Sequence, residues 1–421
     1  MELYESQKEI LQEVVDRRRC ALYCAPGTGK TFMSLVKARD DGAKHILVVC
    51  QKSMIDEWIP NASIVFPDYK IINLRKEKLD SMPEECFVGV INYDSIWRRD
   101  TFLKWRDYTL ILDESSMLQN EKSKRGEYIE RLRFSNLILL SGTPISGKYE
   151  GLYLQMKLLG YKKGKTYFYD RYTKFTWEVP WGCEVGSVKK YRKIYGYKNI
   201  DELKRVLRDL GCVFRSLEDV CDLPDERTID LYVDAPKELK EFTKERIITM
   251  PDGEVLLGDT TLGLRIGMKK LSSFYNPNKK EKLIALMESL SEERVVIFYI
   301  FKRDFELIKE CIGNRPLSFV NGDGRDLTAY ENYHNSVIAL QYQSASYGLN
   351  LQKSHYAIFF SYTEEVDKWM QAKARIRRSG QKEKQIYYNL ITKNSVEEKI
   401  LIALKQGKDY TDALFIRDFG Q

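Results

Sequence analysis

Apolar and polar residues follow two alternating rhythms along this chain of 421 residues. Short apolar runs recur at Ala21-Leu22-Tyr23-Cys24, Ile46-Leu47-Val48-Val49-Cys50, Phe87-Val88-Gly89-Val90-Ile91, Leu110-Ile111-Leu112 and Leu137-Ile138-Leu139-Leu140. Between them, apolar residues fall every three or four positions. Runs this short, set between helical stretches, predict strands buried on both faces of a parallel sheet, with helices covering each side. Residues 1–20 read as a helix on Leu3, Ile10, Leu11, Val14 and Val15, and Phe32 to Ala38 as another. After Pro144 the rhythm breaks. Trp177, Pro180 and Trp181 lie where helical periodicity is weak, which predicts a hairpin or a loop, and Ile200 to Leu210 is then an amphipathic helix.

Leu223-Pro224-Asp225-Glu226 reads as a boundary turn. A second set of runs follows at Val295–Phe298, Leu317–Val320, Val337–Leu340, Ala357–Phe360 and Ile386–Tyr388, and Val396 to Leu404 is helical. The pattern therefore predicts an α/β protein of two domains in series, residues 1–222 and 223–421. Each is a parallel sheet flanked by helices, and each carries a mainly helical insertion, at about 151–215 and about 236–280. The second insertion has a turn at Pro251-Asp252-Gly253.

Composition changes this picture little, except in one place. A chain that is 43% hydrophobic and 31% charged is expected to be globular and soluble. No apolar run approaches the ~20 residues that span a bilayer. Met1-Glu2-Leu3-Tyr4-Glu5 lacks the basic and apolar regions of a signal peptide. The eight cysteines include no C-x-x-C pair and predict free thiols in a reducing cytosol. His45, His334 and His355 are isolated and read as structural. The net charge of +7 is concentrated: residues 161–215 hold fourteen Lys and Arg against six Asp and Glu, with twelve of the 51 aromatic residues. Basic charge with interleaved rings suits a nucleic-acid surface, and it also suits a solvated basic helical hairpin.

The chemistry gathers at four places. Cys24-Ala25-Pro26-Gly27-Thr28-Gly29-Lys30-Thr31 joins a predicted strand to a predicted helix. Glycines in such a loop let backbone N–H groups wrap a phosphate at a helix N-terminus. Lys30 would then reach the β- and γ-phosphates, and the Thr31 hydroxyl would ligate Mg²⁺. Asp113-Glu114 ends another strand, where Asp113 can hold the metal and Glu114 can act as general base. Ser141-Gly142-Thr143-Pro144 ends the next strand and can sense the γ-phosphate. Finally, Gln371 to Gln381 puts Arg375 and Arg378 three residues apart. If the stretch is helical they share a face and can clamp a triphosphate.

Together these segments resemble the superfamily-two helicases, and among them the Swi/Snf-like DNA translocase ATPases. Leu3-Tyr4-Glu5-Ser6-Gln7 is similar to the family's Q motif, whose glutamine reads adenine, and Cys24–Thr31 to motif I. Val48 to Trp58 resembles motif Ia, with Gln51 in place of the usual proline, and Val90 to Ser95 resembles motif Ib. Asp113-Glu114-Ser115-Ser116 matches motif II with Ser-Ser replacing the commoner Ala-His, and Ser141 to Pro144 matches motif III. Val296-Ile297-Phe298 fits motif IV, Ser344 to Leu351 motif V, and Gln371 to Gln381 motif VI, with Ala374 replacing a Gly and Arg377 a His.

The resemblance covers residues 3 to 404 and implies two tandem RecA-like domains that use ATP and Mg²⁺. It implies nucleotide binding by Gln7, Pro26, Gly27, Thr28, Gly29, Lys30, Thr31, Gly348, Asn350, Arg375 and Arg378. Catalysis would fall to Lys30, Asp113, Glu114 and the arginine fingers Arg375 and Arg378, and metal binding to Thr31 and Asp113. Lys52, Ser53, Asn92, Tyr93, Lys189, Lys190, Arg192, Lys193, Ser344 and Ser346 become candidates for nucleic-acid contact. The expected partner is double-stranded or branched DNA, with room for a protein partner such as a nuclease. The expected function is DNA-stimulated, sequence-independent translocation on duplex DNA by a monomer in the cytoplasm of a bacterial cell or a virus-infected host cell. Ser115-Ser116 suits compact bacterial or viral members, and DNA repair or recombination is the expected setting. Two other functions fit the same motifs: a strand-separating or branch-migrating helicase, and an ATP-dependent clamp or loader that recruits a nuclease.

Overall fold

Odd and even residues of each apolar run go to opposite faces of a sheet, and this alternation builds the core. A computed structural model of the protein describes residues 2–144, 148–178, 190–220, 223–342, 349, 351–378, 381–409, 411, 414 and 418–419. The chain divides into two units, residues 1–221 and 222–421.

In the first unit the strands are β1 (Arg19–Cys24), β2 (His45–Cys50), β3 (Lys70–Asn73), β4 (Phe87–Asn92), β5 (Thr109–Leu112), β6 (Asn136–Leu140), a separate pair β7 (Thr173–Glu178) and β8 (Tyr191–Tyr197), and β9 (Cys212–Arg215). Seven of them form one parallel sheet in the order β3-β4-β2-β5-β6-β1-β9. Ala21, Tyr23, Leu47 and Val49 enter one apolar layer, and Leu22, Cys24, Val48 and Cys50 enter the other. Helices close both layers, among them α1 (Glu5–Gln12), α2 (Lys30–Asp40) and α3 (Ile55–Val65).

The second unit repeats the plan with β10 (Glu226–Val233), a hairpin of β11 (Ile247–Thr249) and β12 (Val255–Leu257), then β13 (Val295–Tyr299), β14 (Leu317–Asn321), β15 (Gly324–Asp326), β16 (Val337–Gln341), β17 (Tyr356–Phe359) and β18 (Gln385–Thr392). Its sheet runs β10-β18-β17-β13-β16-β14-β15, with only β15 antiparallel to its neighbour. Val296 and Phe298 face one layer, Ile297 and Tyr299 the other.

The parallel α/β architecture agrees with the sequence pattern, and three details correct it. First, the N-terminal helix ends at Gln12, well short of residue 20. The chain must turn before β1, and Val15, expected on the apolar face, is exposed. Second, β3, β9, β10 and β15 join the sheets without an apolar run to mark them. β3, β10 and β15 end or lie near the end of a sheet and are only partly buried, so polar residues such as those of Glu226–Val233 are tolerated there. Third, the first insertion is not mainly helical, whereas the second is, as expected. The first combines helices Leu152–Leu159, Lys165–Tyr172 and Ile200–Asp209 with the antiparallel β7–β8 pair, and the second places β11–β12 between helices Lys237–Glu245 and Thr261–Ser272. Aromatic and β-branched residues in β7–β8 favour a pleated ribbon. Among the described residues no helix is long and apolar enough to cross a membrane.

Candidate active site

The carboxyl edge of the first sheet gathers the predicted nucleotide residues. β1 ends at Cys24 and α2 begins at Lys30, so the loop between them sits at that edge. Gly27 and Gly29 have φ of 89° and 80°, in the left-handed region that side chains disfavour. These two glycines reverse the chain so that α2 starts over the strand end. Lys30 Nζ donates to the carbonyl oxygens of Cys24 (2.7 Å) and Ala25 (3.0 Å), which holds its ammonium at the loop. Thr28 is buried, and its hydroxyl donates to Ala25 O at 2.8 Å. Thr31 lies in the first turn of α2.

The side chain of Cys24 explains its place in the loop. It is buried in the apolar layer beneath the strand, and burial pushes its thiol up to about 11. It serves as a small core residue, while its carbonyl oxygen holds Lys30.

Gln7 reaches the same loop from α1. Its Nε2 donates to Thr28 O at 2.9 Å, and its Oε1 accepts from Tyr4 N at 3.0 Å. A Cβ on Gly29 would lie 2.6 Å from Gln7 Nε2. The Gln7 amide thus ties the loop, through Thr28, to the start of α1 at Tyr4. Pro26 is packed from another side, since a Cβ on Gly142 would fall 2.9 Å from Pro26 Cδ. That contact puts the Ser141–Pro144 segment directly against the phosphate loop. Ser141 N donates to Leu22 O, and Ser141 Oγ accepts from Thr143 N at 3.1 Å.

Asp113 follows β5, with β6 between it and β1. Its carboxylate is buried; Oδ2 accepts from Trp58 Nε1 at 2.9 Å and Oδ1 from Glu114 N at 3.0 Å. Burial raises its pKa above the usual carboxylate range, while Trp58, the Lys30 charge and Glu114 N oppose the rise. Each oxygen keeps a further lone-pair site, so the donor set fits a hard cation such as Mg²⁺. Glu114 adopts φ 49° and turns the chain sharply out of the strand. Such a backbone costs about 1–3 kcal/mol in a non-glycine residue and is held by its surroundings.

The nucleic-acid candidates divide. Lys52 is exposed and Ser53 half-buried in the turn after β2. Asn92 and Tyr93, the other two candidates near this edge, are buried, and the Tyr93 hydroxyl donates to Asp113 O at 2.9 Å. Lys190 is exposed. Arg192 is folded into the β7–β8 hairpin: its guanidinium lies 4.4 Å from the Phe175 ring centre, 5.1 Å from that of Trp177 and 3.0 Å from Asp170 Oδ1. Lys193 pairs with Glu178 at 2.9 Å on the surface. Lys189, Ser344, Ser346, Gly348, Asn350, Pro180 and Trp181 lie outside the described residues.

In the second unit, the helix before the arginines is Val366–Lys373 and stops short of them. Arg375 and Arg378 sit in the turn that follows, so they do not share a helical face. Leu351 N donates to the Arg375 carbonyl oxygen at 3.2 Å, and Arg378 Nε donates to Ala374 O at 3.2 Å. Gln381 Nε2 faces the carbonyl oxygens of Gln352, Ser354 and Ile376 at 3.1–3.3 Å. These bonds pin the arginine-bearing turn to the segment after residue 350. Residue patterns did not reveal that the Trp58 indole and the Tyr93 hydroxyl both bond to Asp113, because each looks like an ordinary core position.

Comparison with known proteins adds a second line of observation. A family model described as the SNF2-related domain matches residues 10–296. A SWI/SNF-related regulator of chromatin, subfamily A-like protein 1 homolog of Caenorhabditis elegans, is 24% identical over 97% of this chain and 61% of its own length. The human subfamily A member 1 protein is 24% identical over 89% of this chain and 39% of its own length. The ATP-dependent helicase YqhH of Bacillus subtilis is 20% identical, covering 94% of this chain and 76% of its own. The chain therefore spans 61% of the worm protein and 39% of the human one. The solved Sulfolobus solfataricus SWI2/SNF2 ATPase core in complex with dsDNA aligns over all of this chain and 94% of its own, at 18% identity and a TM-score of 0.44.

Proposed function

The chain belongs to the SNF2-related family, and on that premise we propose that it is a DNA-dependent ATP hydrolase that moves along duplex DNA. The observation that carries this reading is Lys30 and Asp113 at the carboxyl edge of one sheet, with the Lys30 ammonium held at a loop that two left-handed glycines shape. In this reading, backbone N–H groups of the loop and the α2 N-terminus bind the β- and γ-phosphates. Lys30 offsets their charge. Thr31 and Asp113 would hold Mg²⁺, which when bound draws charge from the phosphate oxygens. Glu114 orients the attacking water and takes its proton. Arg375 and Arg378 from the second unit would stabilise charge at the transferring group, a contribution typically of ~10³–10⁵ in turnover. DNA would favour this joint arrangement and so stimulate hydrolysis. Its contacts would be mainly to phosphate, from exposed cations such as Lys52 and Lys190, and would weaken with salt.

The test is ATPase activity with no nucleic acid, single-stranded DNA, duplex DNA, forked DNA and RNA, with Lys30→Ala as control. Stimulation by duplex DNA that vanishes in the control is expected. Turnover indifferent to duplex DNA would sink the translocase reading and favour a clamp or loader. A second reading, strand separation, draws on the exposed rings of Trp177, Tyr191 and Tyr195 on the β7–β8 hairpin. Displacement of a strand from forked DNA would favour it, whereas triplex displacement without unwinding favours translocation.

A further inference from the structure

Helix Leu152–Leu159 is apolar along most of its length, yet it buries one amide completely, that of Gln155. A buried amide is unfavourable unless hydrogen-bonded, and leucine at this position would fill the core without that penalty. The amide has three partners from three separate segments. Oε1 accepts from Tyr23 Oη at 2.9 Å and from Ser115 Oγ at 2.8 Å, and Nε2 donates to Pro144 O at 3.2 Å. A carbonyl can only accept, so the nitrogen must face Pro144, and the two hydroxyls then point their hydrogens at the oxygen.

Each partner is a near neighbour of a residue given a role in hydrolysis. Tyr23 precedes Cys24, whose carbonyl holds Lys30. Ser115 follows Glu114 and fixes the chain just after its left-handed turn. Pro144 closes the segment whose Gly142 packs on Pro26. Ser115 also stands where the resembling family commonly has alanine, and Gln155 supplies the acceptor that makes a hydroxyl useful there. We propose that Gln155 is a positioning residue for ATP hydrolysis, one amide that locks the strand before the phosphate loop, the general-base turn and the Ser141–Pro144 segment into a single geometry. This proposal rests on the ATP hydrolase reading.

The experiment separates positioning from stability. Gln155→Leu leaves two hydroxyls and a carbonyl without their partner, so both melting temperature and kcat should fall. The triple variant Tyr23→Phe, Ser115→Ala, Gln155→Leu removes the stranded hydroxyls, so its melting temperature should recover. If Gln155 positions the site, DNA-stimulated kcat in the triple variant stays down about tenfold or more while KM for ATP is little changed. Recovery of kcat together with the melting temperature overturns the proposal. Ser115→Ala alone, a minimal deletion, gives an independent reading should the triple variant fail to fold. A severalfold fall in kcat at an unchanged melting temperature supports the proposal, and an unchanged kcat overturns it. Wild-type chain that hydrolyses no ATP with duplex DNA would sink the hydrolase reading itself, an outcome distinct from a wild type that hydrolyses and a triple variant that recovers.

Discussion

The indole N–H of Trp58 on α3 donates to Asp113 Oδ2 at 2.9 Å, and both side chains are buried. A residue that follows β2 through a short turn thus fixes the carboxylate proposed for the metal. Burial alone would favour the protonated acid, which cannot hold a cation well. The indole bond and the Lys30 charge pull the other way. Trp58 also fills the core around Asp113, so one ring sets both the position and the ionisation of the acid.

Replacing that ring by one without a donor should therefore shift the pH profile. A hydrogen bond donated to a carboxylate favours its ionised form. In Trp58→Phe the Asp113 pKa rises further, and the acid limb of kcat/KM for ATP should move to higher pH. The direction follows because the ionised form is the active one and has lost a donor. A profile that scales down without moving would show that Trp58 acts only through packing.

Gly29 and Gln7 should behave as a coupled pair. Gly29→Ala forces a side chain into a left-handed backbone, at a cost of about 1–2 kcal/mol, and brings its Cβ to within 2.6 Å of Gln7 Nε2. Gln7→Ala removes the second problem and leaves the first. The double variant should therefore be less destabilised than the sum of the singles, with a coupling of about 0.5–3 kcal/mol. Urea denaturation of the four proteins measures it. Strict additivity would mean that the loop relaxes away from Gln7 on its own.

The parts of this fold and site that were legible in the sequence share a physical cause. A strand buried on both faces must be apolar throughout, so Ile46–Cys50 and Val295–Phe298 announced themselves. A loop with left-handed turns needs glycine, so Gly27 and Gly29 stood out beside Lys30. Strands at or near a sheet's end are only partly covered, and Glu226–Val233 accordingly carries charge and hid from the pattern. Arg375 and Arg378 were visible as residues, but their geometry was not. The helix ends at Lys373, and the Arg375 carbonyl turns to Leu351, a contact that spacing cannot reveal. The contacts of Gln155 and Tyr93 were hidden for the same reason: the partner of a buried polar group is chosen by packing between distant segments.

In the second unit, Lys279 and Glu397 form a fully buried pair, with Lys279 Nζ 2.7 and 2.6 Å from the two carboxylate oxygens. Burial pushes the Glu397 carboxyl up to about 7 even beside the lysine. Lys279→Met removes the partner and should cost about 3–5 kcal/mol near pH 8. The sign with pH is fixed: a folded-state pKa above the unfolded one means that the folded state holds the proton more tightly. The variant should then be most stable at pH 5 and lose stability as pH rises through the folded value. Urea midpoints at pH 5 and pH 8 check this. A penalty that is the same at both would mean that water reaches Glu397 once the lysine is gone.

The basic insertion should divide its cations into two kinds. Lys190 is exposed, whereas Arg192 is held between Phe175, Trp177 and Asp170. A two-stranded ribbon is marginal by itself, so the Arg192 stack is part of what keeps β7–β8 folded. Lys190→Ala should weaken duplex binding and reduce the slope of log affinity against log salt by about 0.9, the value for one phosphate contact. Lys193 meets Glu178 only at the surface, where such pairs contribute little, so Lys193→Ala should act in the same direction. Arg192→Ala should instead speed proteolysis of the hairpin and leave the salt slope where it was. Fluorescence anisotropy of a labelled duplex across a salt series, with limited proteolysis of the same proteins, reads both effects. A full unit of slope lost in Arg192→Ala would place that guanidinium on a phosphate and remove it from the hairpin's own architecture.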